Sequence, residues 1–200
     1  MELSALDSIA ILAFSPGEDY PRLTRAVLEE LADLLATVRR ERLFFGVVIA
    51  SNLKSFATGA ELEELVPLEG VAAQEFARAG PSLFEQIERF PIPVVAAIRG
   101  YCLGGGLDLA LACRARVAAY DASFGHPGAA LGLLTGWGGT QRLPRLVGKA
   151  QALQMLLSGE RVPATQALTL RLVDELASSA DLIECAVRRC LALVHNDARG

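Results

Sequence analysis

Ile92–Asp108 reads I-P-V-V-A-A-I-R-G-Y-C-L-G-G-G-L-D, and its reading decides the fold. Pro93–Ile98 has the pattern of a buried strand. The chain then turns, and Gly104, Gly105 and Gly106 open an apolar helix. Glycine at such a turn lets main-chain N–H groups approach a ligand closely, and a helix N-terminus adds aligned N–H dipoles. That geometry suits an acyl oxygen that gains negative charge, so the run reads as half of an oxyanion hole. Taken alone, three glycines are equally well explained by a tight, closely packed turn.

A second segment changes the balance. Phe56-Ala57-Thr58-Gly59-Ala60-Glu61-Leu62 follows another strand candidate, Phe44–Ala50, and opens a helix-like stretch. The order strand, glycine turn, helix start thus occurs twice. Two main-chain N–H groups from two such turns are what an enolate oxygen requires.

At this point the chain resembles the crotonase family, the enoyl-CoA hydratase/isomerase superfamily. The resemblance rests on Ser55–Leu62, Ile92–Cys113 and Ala122–Lys149. The last reads A-S-F-G-H-P-G-A-A-L-G-L-L-T-G-W-G-G-T-Q-R-L-P-R-L-V-G-K. It is similar to the family's F-G-x-P-E…G-x-x-P-G-x-G-G-T-Q-R-L segment, and a weaker likeness continues through Ala150–Leu176. The resemblance implies an α/β fold built as a spiral of β-β-α units. It places the two oxyanion N–H donors at Ala60 and Gly105. It implies substrate contacts from Ser55, Ala57, Gly59, Glu61 and Leu62 in the first turn. Leu103, Gly104 and Gly106 would follow in the second, and Pro127, Gly128 and Leu131 in the third. The ligand would be an acyl-CoA thioester, with coenzyme A as part of the substrate and no separate cofactor. Homotrimers or hexamers are the family's habit.

The family's hydratases use two glutamates to hold and activate a water. Here the first place is Asp108 and the second is Gly128. One carboxylate is a methylene shorter and the other is missing. Asp108 is therefore the one acidic side chain of the motif able to move a proton, and burial beside apolar groups would raise its pKa into a useful range. A single carboxylate fits isomerisation or another one-base reaction better than hydration. Two alternatives stand beside that enzyme: a catalytically silent acyl-CoA-binding or assembly subunit, and a thioester hydrolase or decarboxylase using the same oxyanion hole.

Other residues carry weaker signals. His126 precedes Pro127; a histidine there could act as a base, but a structural or surface role is the expectation for it. Glu61 reads as a helix-start acid. Trp137, the one tryptophan in the chain, either narrows the acyl pocket or packs in the core. Gly136-Trp137-Gly138-Gly139 lacks the spacing of a dinucleotide fingerprint.

Composition bounds the rest. The 200 residues fit one domain over 1–200. Hydrophobic residues make up 52%, a surplus that predicts buried surface between copies. The net charge is −4, with charges dispersed, which disfavours nucleic acid. No uncharged apolar stretch is long enough to span a bilayer. Met1–Asp7 has no signal-peptide pattern, so a cytoplasmic protein is expected. Cys102, Cys113, Cys185 and Cys190 form no C-x-x-C pair, which predicts reduced thiols and no metal site. The family continues past the position of Gly200 with helices that cover the acyl pocket, so the chain reads as a short member.

Periodicity predicts strands at Ser8–Phe14, Leu43–Ala50, Val94–Ile98, Ala115–Ala119 and Leu172–Glu175. It predicts helices at Tyr20–Arg40, Glu69–Glu88, Gly106–Cys113, Gly138–Leu146, Lys149–Leu157, Ala164–Leu170 and Ser179–Val194.

Overall fold

Four apolar runs line up side by side: β2 (Ile9–Phe14), β3 (Gly46–Ser51), β4 (Val94–Ile98) and β6 (Ala115–Ala119). All their residues are buried. They are parallel neighbours in the order β2-β3-β4-β6. Both faces of such a sheet are covered, which is why these strands read as continuous apolar runs rather than alternating ones. In the computed structural model, which describes residues 1–15, 19–61 and 69–197, two edges complete the sheet. β1 (Glu2–Leu6) pairs antiparallel with β2, and β9 (Glu175–Ala177) pairs parallel with β6.

One face of the sheet carries Ala10, Leu12, Val47, Ile49, Ala96 and Ile98 into the main core. There they meet α1 (Arg25–Glu41), α2 (Gly70–Glu88) and α3 (Gly105–Ala112). The opposite face carries Ile9, Ile11, Val48, Val95, Ala97 and Val117 onto α7 (Leu182–Asp197). Closeness there is absolute: a Cβ on Gly46 would lie 2.3 Å from Cys190 Sγ.

A smaller sheet stands beside the first. β5 (Tyr101–Leu103) runs parallel to β7 (Ser123–Gly125), which pairs antiparallel with β8 (Val162–Pro163). Ala57 bridges in parallel to Cys102 and adds a rudimentary fourth strand. Three large-sheet strands are each followed by a short strand of the second sheet: β3 by the Ala57 bridge, β4 by β5, and β6 by β7. This is the expected spiral of β-β units. A 3-10 turn (Pro127–Leu131), α4 (Gly139–Val147), α5 (Lys149–Ser158) and α6 (Ala164–Thr169) close the second side.

The differences from the sequence expectations have local causes. The helix expected from Tyr20 begins at Arg25, because the Thr24 side chain caps it by accepting from Val27 N at 3.2 Å. β3 begins at Gly46 rather than Leu43, just after Arg42 takes a left-handed conformation at φ 54°. β1 has no buried side and so no hydrophobic pattern to read. The short strand expected at Leu172–Glu175 lies at Glu175–Ala177, and the final helix starts at Leu182 rather than Ser179. The helix-like stretch expected after Ala60 falls mostly outside the described residues.

Candidate functional site

The small sheet brings the two glycine turns together. Ala57 N donates to Tyr101 O at 3.2 Å, and Leu103 N donates to Ala57 O at 2.9 Å. Gly106 then passes so close that a Cβ on it would lie 2.3 Å from Ala57 O. Gly59 at φ 97° and Gly104 at φ 53° hold conformations that side chains disfavour. A Cβ on Gly59 would sit 3.2 Å from Gly105 N, and one on Gly105 would sit 3.7 Å from Ala60 N. The main-chain nitrogens of Ala60 and Gly105 therefore lie on adjoining walls. Gly105 N is also among the first N–H groups of α3, which the helix itself leaves without an internal partner.

These walls bound a cavity of about 410 Å³. Thr58, Gly59 and Ala60 line it from the first turn, and Gly104, Gly105 and Asp108 from the second. His126–Gly128, Leu131 and Leu133–Trp137 supply the far side, and Arg22 stands at one edge. Leu131, Leu133 and Leu134 are exposed apolar side chains. Trp137 is wedged behind the turn. Its ring meets Phe84 edge-on at 5.8 Å, and a Cβ on Gly105 would lie 2.5 Å from it.

Asp108 is 0% exposed. Thr135 Oγ1 donates to its Oδ2, whereas Oδ1 has no hydrogen-bond partner among the described residues. Burial pushes the carboxyl up to about 7. The Thr135 hydroxyl, the Arg142 charge and the main-chain N–H groups of Trp137 and Gly139 keep it from rising further. His126 Nε2 lies 3.6 Å from Asp108 Oδ1. His126 is 3% exposed, and neither of its ring nitrogens has a hydrogen-bond partner among the described residues. Burial pulls its pKa down to about 4. Near neutral pH the imidazole is uncharged, so the contact is not an ion pair despite its distance. Gly139 leaves the room for this arrangement: a Cβ there would lie 2.2 Å from Asp108 Oδ1 and 3.1 Å from His126 Nε2. A carboxyl with a pKa near 7 on a cavity wall is matched to proton transfer at neutral pH.

Of the residues singled out by sequence, Gly59, Ala60, Gly104, Gly105, Asp108, Pro127, Gly128 and Leu131 share this cavity. Ser55, Ala57, Leu103 and Gly106 stand behind it. Ser55 is buried, and its Oγ accepts from Tyr101 N at 3.1 Å, a bond that ties the first turn to β5. Glu61 pairs with Arg22 at 3.0 Å and faces a second cavity of about 370 Å³. Leu62 lies outside the described residues. The surface role considered for His126 does not hold, because the ring is buried against Asp108. Trp137 does both things considered for it, packing in the core and lining the cavity. Sequence reasoning missed Thr135, which lies 27 residues from its Asp108 partner, and Arg22. No spacing rule links either to the motif glycines.

The family model for enoyl-CoA hydratase/isomerase matches residues 6–199. The chain is 44% identical over 191 residues to the fatty acid oxidation complex subunit alpha of Shewanella halifaxensis, an alignment covering 93% of this chain and 27% of that protein. The chain therefore spans about a quarter of the length of the curated relatives it matches, 27% in each case. Among solved structures, the enoyl-CoA hydratase of Bacillus anthracis superposes with a TM-score of 0.89 at 30% identity, covering 100% of this chain and 76% of that one. Pseudomonas aeruginosa DspI superposes with a TM-score of 0.87 at 33% identity, covering 100% of this chain and 80% of that one.

Proposed function

The chain belongs to the enoyl-CoA hydratase/isomerase family, and on that premise we propose that it processes acyl-CoA thioesters by stabilising an enolate. The thioester oxygen sits between the N–H groups of Ala60 and Gly105, and Asp108 moves the proton on the adjacent carbon. Each donor in such a hole typically accounts for ~10²–10³ in rate. Leu131, Leu133, Leu134 and Trp137 offer apolar surface for the acyl chain. Coenzyme A enters as part of the substrate.

One observation carries this reading: a single cavity is lined by Ala60, Gly105 and a buried carboxyl whose pKa burial raises to about 7. Gly128, which lines the same cavity without a side chain, favours a second reading, a binding protein that holds acyl-CoA without turning it over. The two separate in one measurement. Exchange of the proton beside the carbonyl of butyryl-CoA is followed by NMR in heavy water, with acyl-CoA affinity measured in parallel. The enzyme reading expects exchange by the wild type. It expects a ~10²–10⁴-fold loss in Asp108→Asn, because the amide keeps the shape but takes no proton, with affinity retained. Binding without any wild-type exchange establishes the silent binder. Exchange that survives Asp108→Asn overturns the role of Asp108.

A further inference from the structure

His126 has no assigned task in this scheme, yet its surroundings are unusual. Buried polar atoms almost always find partners, and an unmet one costs free energy. Here both ring nitrogens and Asp108 Oδ1 are unmet together, and all belong to residues lining one cavity. A glycine at 139 is what leaves room for carboxyl and ring to face each other. Two residues after His126, Gly128 contributes no carboxylate.

We propose that His126 is the second proton-transfer group of the site and makes it a hydratase: the ring takes a proton from the water that adds to a 2-enoyl thioester, while Asp108 gives its proton to the carbon beside the carbonyl. The proposal rests on the acyl-CoA reading above. In the first step a water O–H bond breaks, its proton goes to a ring nitrogen, and the oxygen bonds to the β-carbon. The double-bond electrons move to the thioester oxygen between Ala60 and Gly105. In the second step they return to form the C–H bond at the α-carbon, using the Asp108 proton. Thr135 occupies Oδ2, so the acid proton resides on Oδ1, the atom that faces His126. The step leaves an imidazolium and a carboxylate 3.6 Å apart. Transfer from Nε2 to Oδ1 restores the neutral acid and the neutral ring, with one water consumed and no proton gained or lost.

The resting protonation agrees with this order. Burial raises Asp108 to about 7 and lowers His126 to about 4, so near neutral pH the base is free and about half of the molecules carry the loaded acid, a share that grows as pH falls. In its acid form Asp108 has no free oxygen to take the water's proton, because Thr135 occupies Oδ2 and the acid proton Oδ1, so the ring serves as the acceptor.

The test uses the full chain and two probes: hydration of crotonyl-CoA, followed by loss of the enoyl absorbance, and α-proton exchange of butyryl-CoA in heavy water. Exchange needs Asp108 and the two N–H groups but no water activation. His126→Gln should lower kcat for hydration by ~10²–10⁴-fold with little change in KM, and slow exchange by a far smaller factor. Circular dichroism and acyl-CoA affinity report whether the variant is folded. Equal losses in both reactions would show that His126 only supports Asp108, and would overturn the proposal. Hydration that survives the substitution would overturn it too. A wild type that exchanges but does not hydrate sinks this inference and leaves the enolate reading standing. A wild type that does neither sinks both.

Discussion

Arg116 with Asp174, and Asp108 with His126, are two polar clusters built on opposite terms: in the first only Arg116 is buried, in the second both residues are. Arg116 donates from Nε to Leu172 O and from Nη1 to Cys113 O, each at 2.8 Å. Its Nη2 reaches Asp174 Oδ2 at 3.1 Å, and its main-chain N reaches the same oxygen at 2.8 Å. The cluster ties β6 to the segment that leads into β9. Asp108 and His126 leave three polar atoms unmet against a cavity. Arg116 finds a partner for each guanidinium nitrogen and stabilises the fold. Asp108 and His126 face each other at a cavity wall with their pKa values moved by burial, the kind of environment that tunes groups toward chemistry.

The largest effect that sharpens this contrast is on stability. Arg116→Met removes the buried guanidinium and strands Leu172 O and Cys113 O, while Asp174 keeps the main-chain N of residue 116 and the Arg189 side chain. A loss of ~3 kcal/mol is expected, at the low end of the range for broken buried pairs because the Asp174 side chain is 26% exposed. Denaturant unfolding measures it. Turnover per folded molecule should stay near wild type, and a large loss there would erase the distinction between the clusters.

The next effect is on the pH dependence of stability. The folded pKa of Asp108 is raised from 3.8 to about 7, so its contribution is fully present below the unfolded value and is lost as pH rises toward 7. The folded pKa of His126 is lowered from 6.5 to about 4, so its contribution is present above the unfolded value and is lost as pH falls toward 4. Between about 4 and 6.5 the pair holds one proton in either state, and the two slopes cancel. Each single substitution exposes the other slope. Relative to wild type, Asp108→Asn should gain stability with rising pH by up to ~1.4 kcal/mol per unit, and His126→Gln should lose it at a similar rate. Parallel curves for all three proteins would show that neither group is held as described.

The smallest effect probes the space between the two residues. Gly139→Ala sets a Cβ 2.2 Å from Asp108 Oδ1 and 2.8 Å from Thr135 Cγ2. Overpacking of this kind costs ~1–3 kcal/mol, and the displaced carboxyl should slow turnover. An Ala variant with wild-type rate and stability would mean that the pair is not closely confined.

Much of the large sheet was legible in the sequence. Val94–Ile98 and Ala115–Ala119 are strands with the expected bounds, because strands buried on both faces carry an uninterrupted apolar signal. The two turns beside the cavity were legible through glycine, since positions such as Gly59 and Gly104, both at positive φ, tolerate little else. The short strands of the second sheet were not. Tyr101–Leu103 and Ser123–Gly125 have three residues each, too few to show a period, and they pair only through tertiary contact. Asp108 was legible as part of a motif. Thr135, Arg22 and the placement of His126 were not, because their meaning lies in which atoms they meet across the fold.

Trp137 carries a last consequence. It is the chain's one tryptophan, it is 5% exposed, and its indole presses on Gly80 and Gly105 while facing the cavity. Every photon of tryptophan emission from this protein therefore originates at the wall of the candidate site. The fold supplies an internal optical gauge: with excitation beyond the absorption of the three tyrosines, occupancy of the cavity is readable as a change in intensity or colour with no label attached.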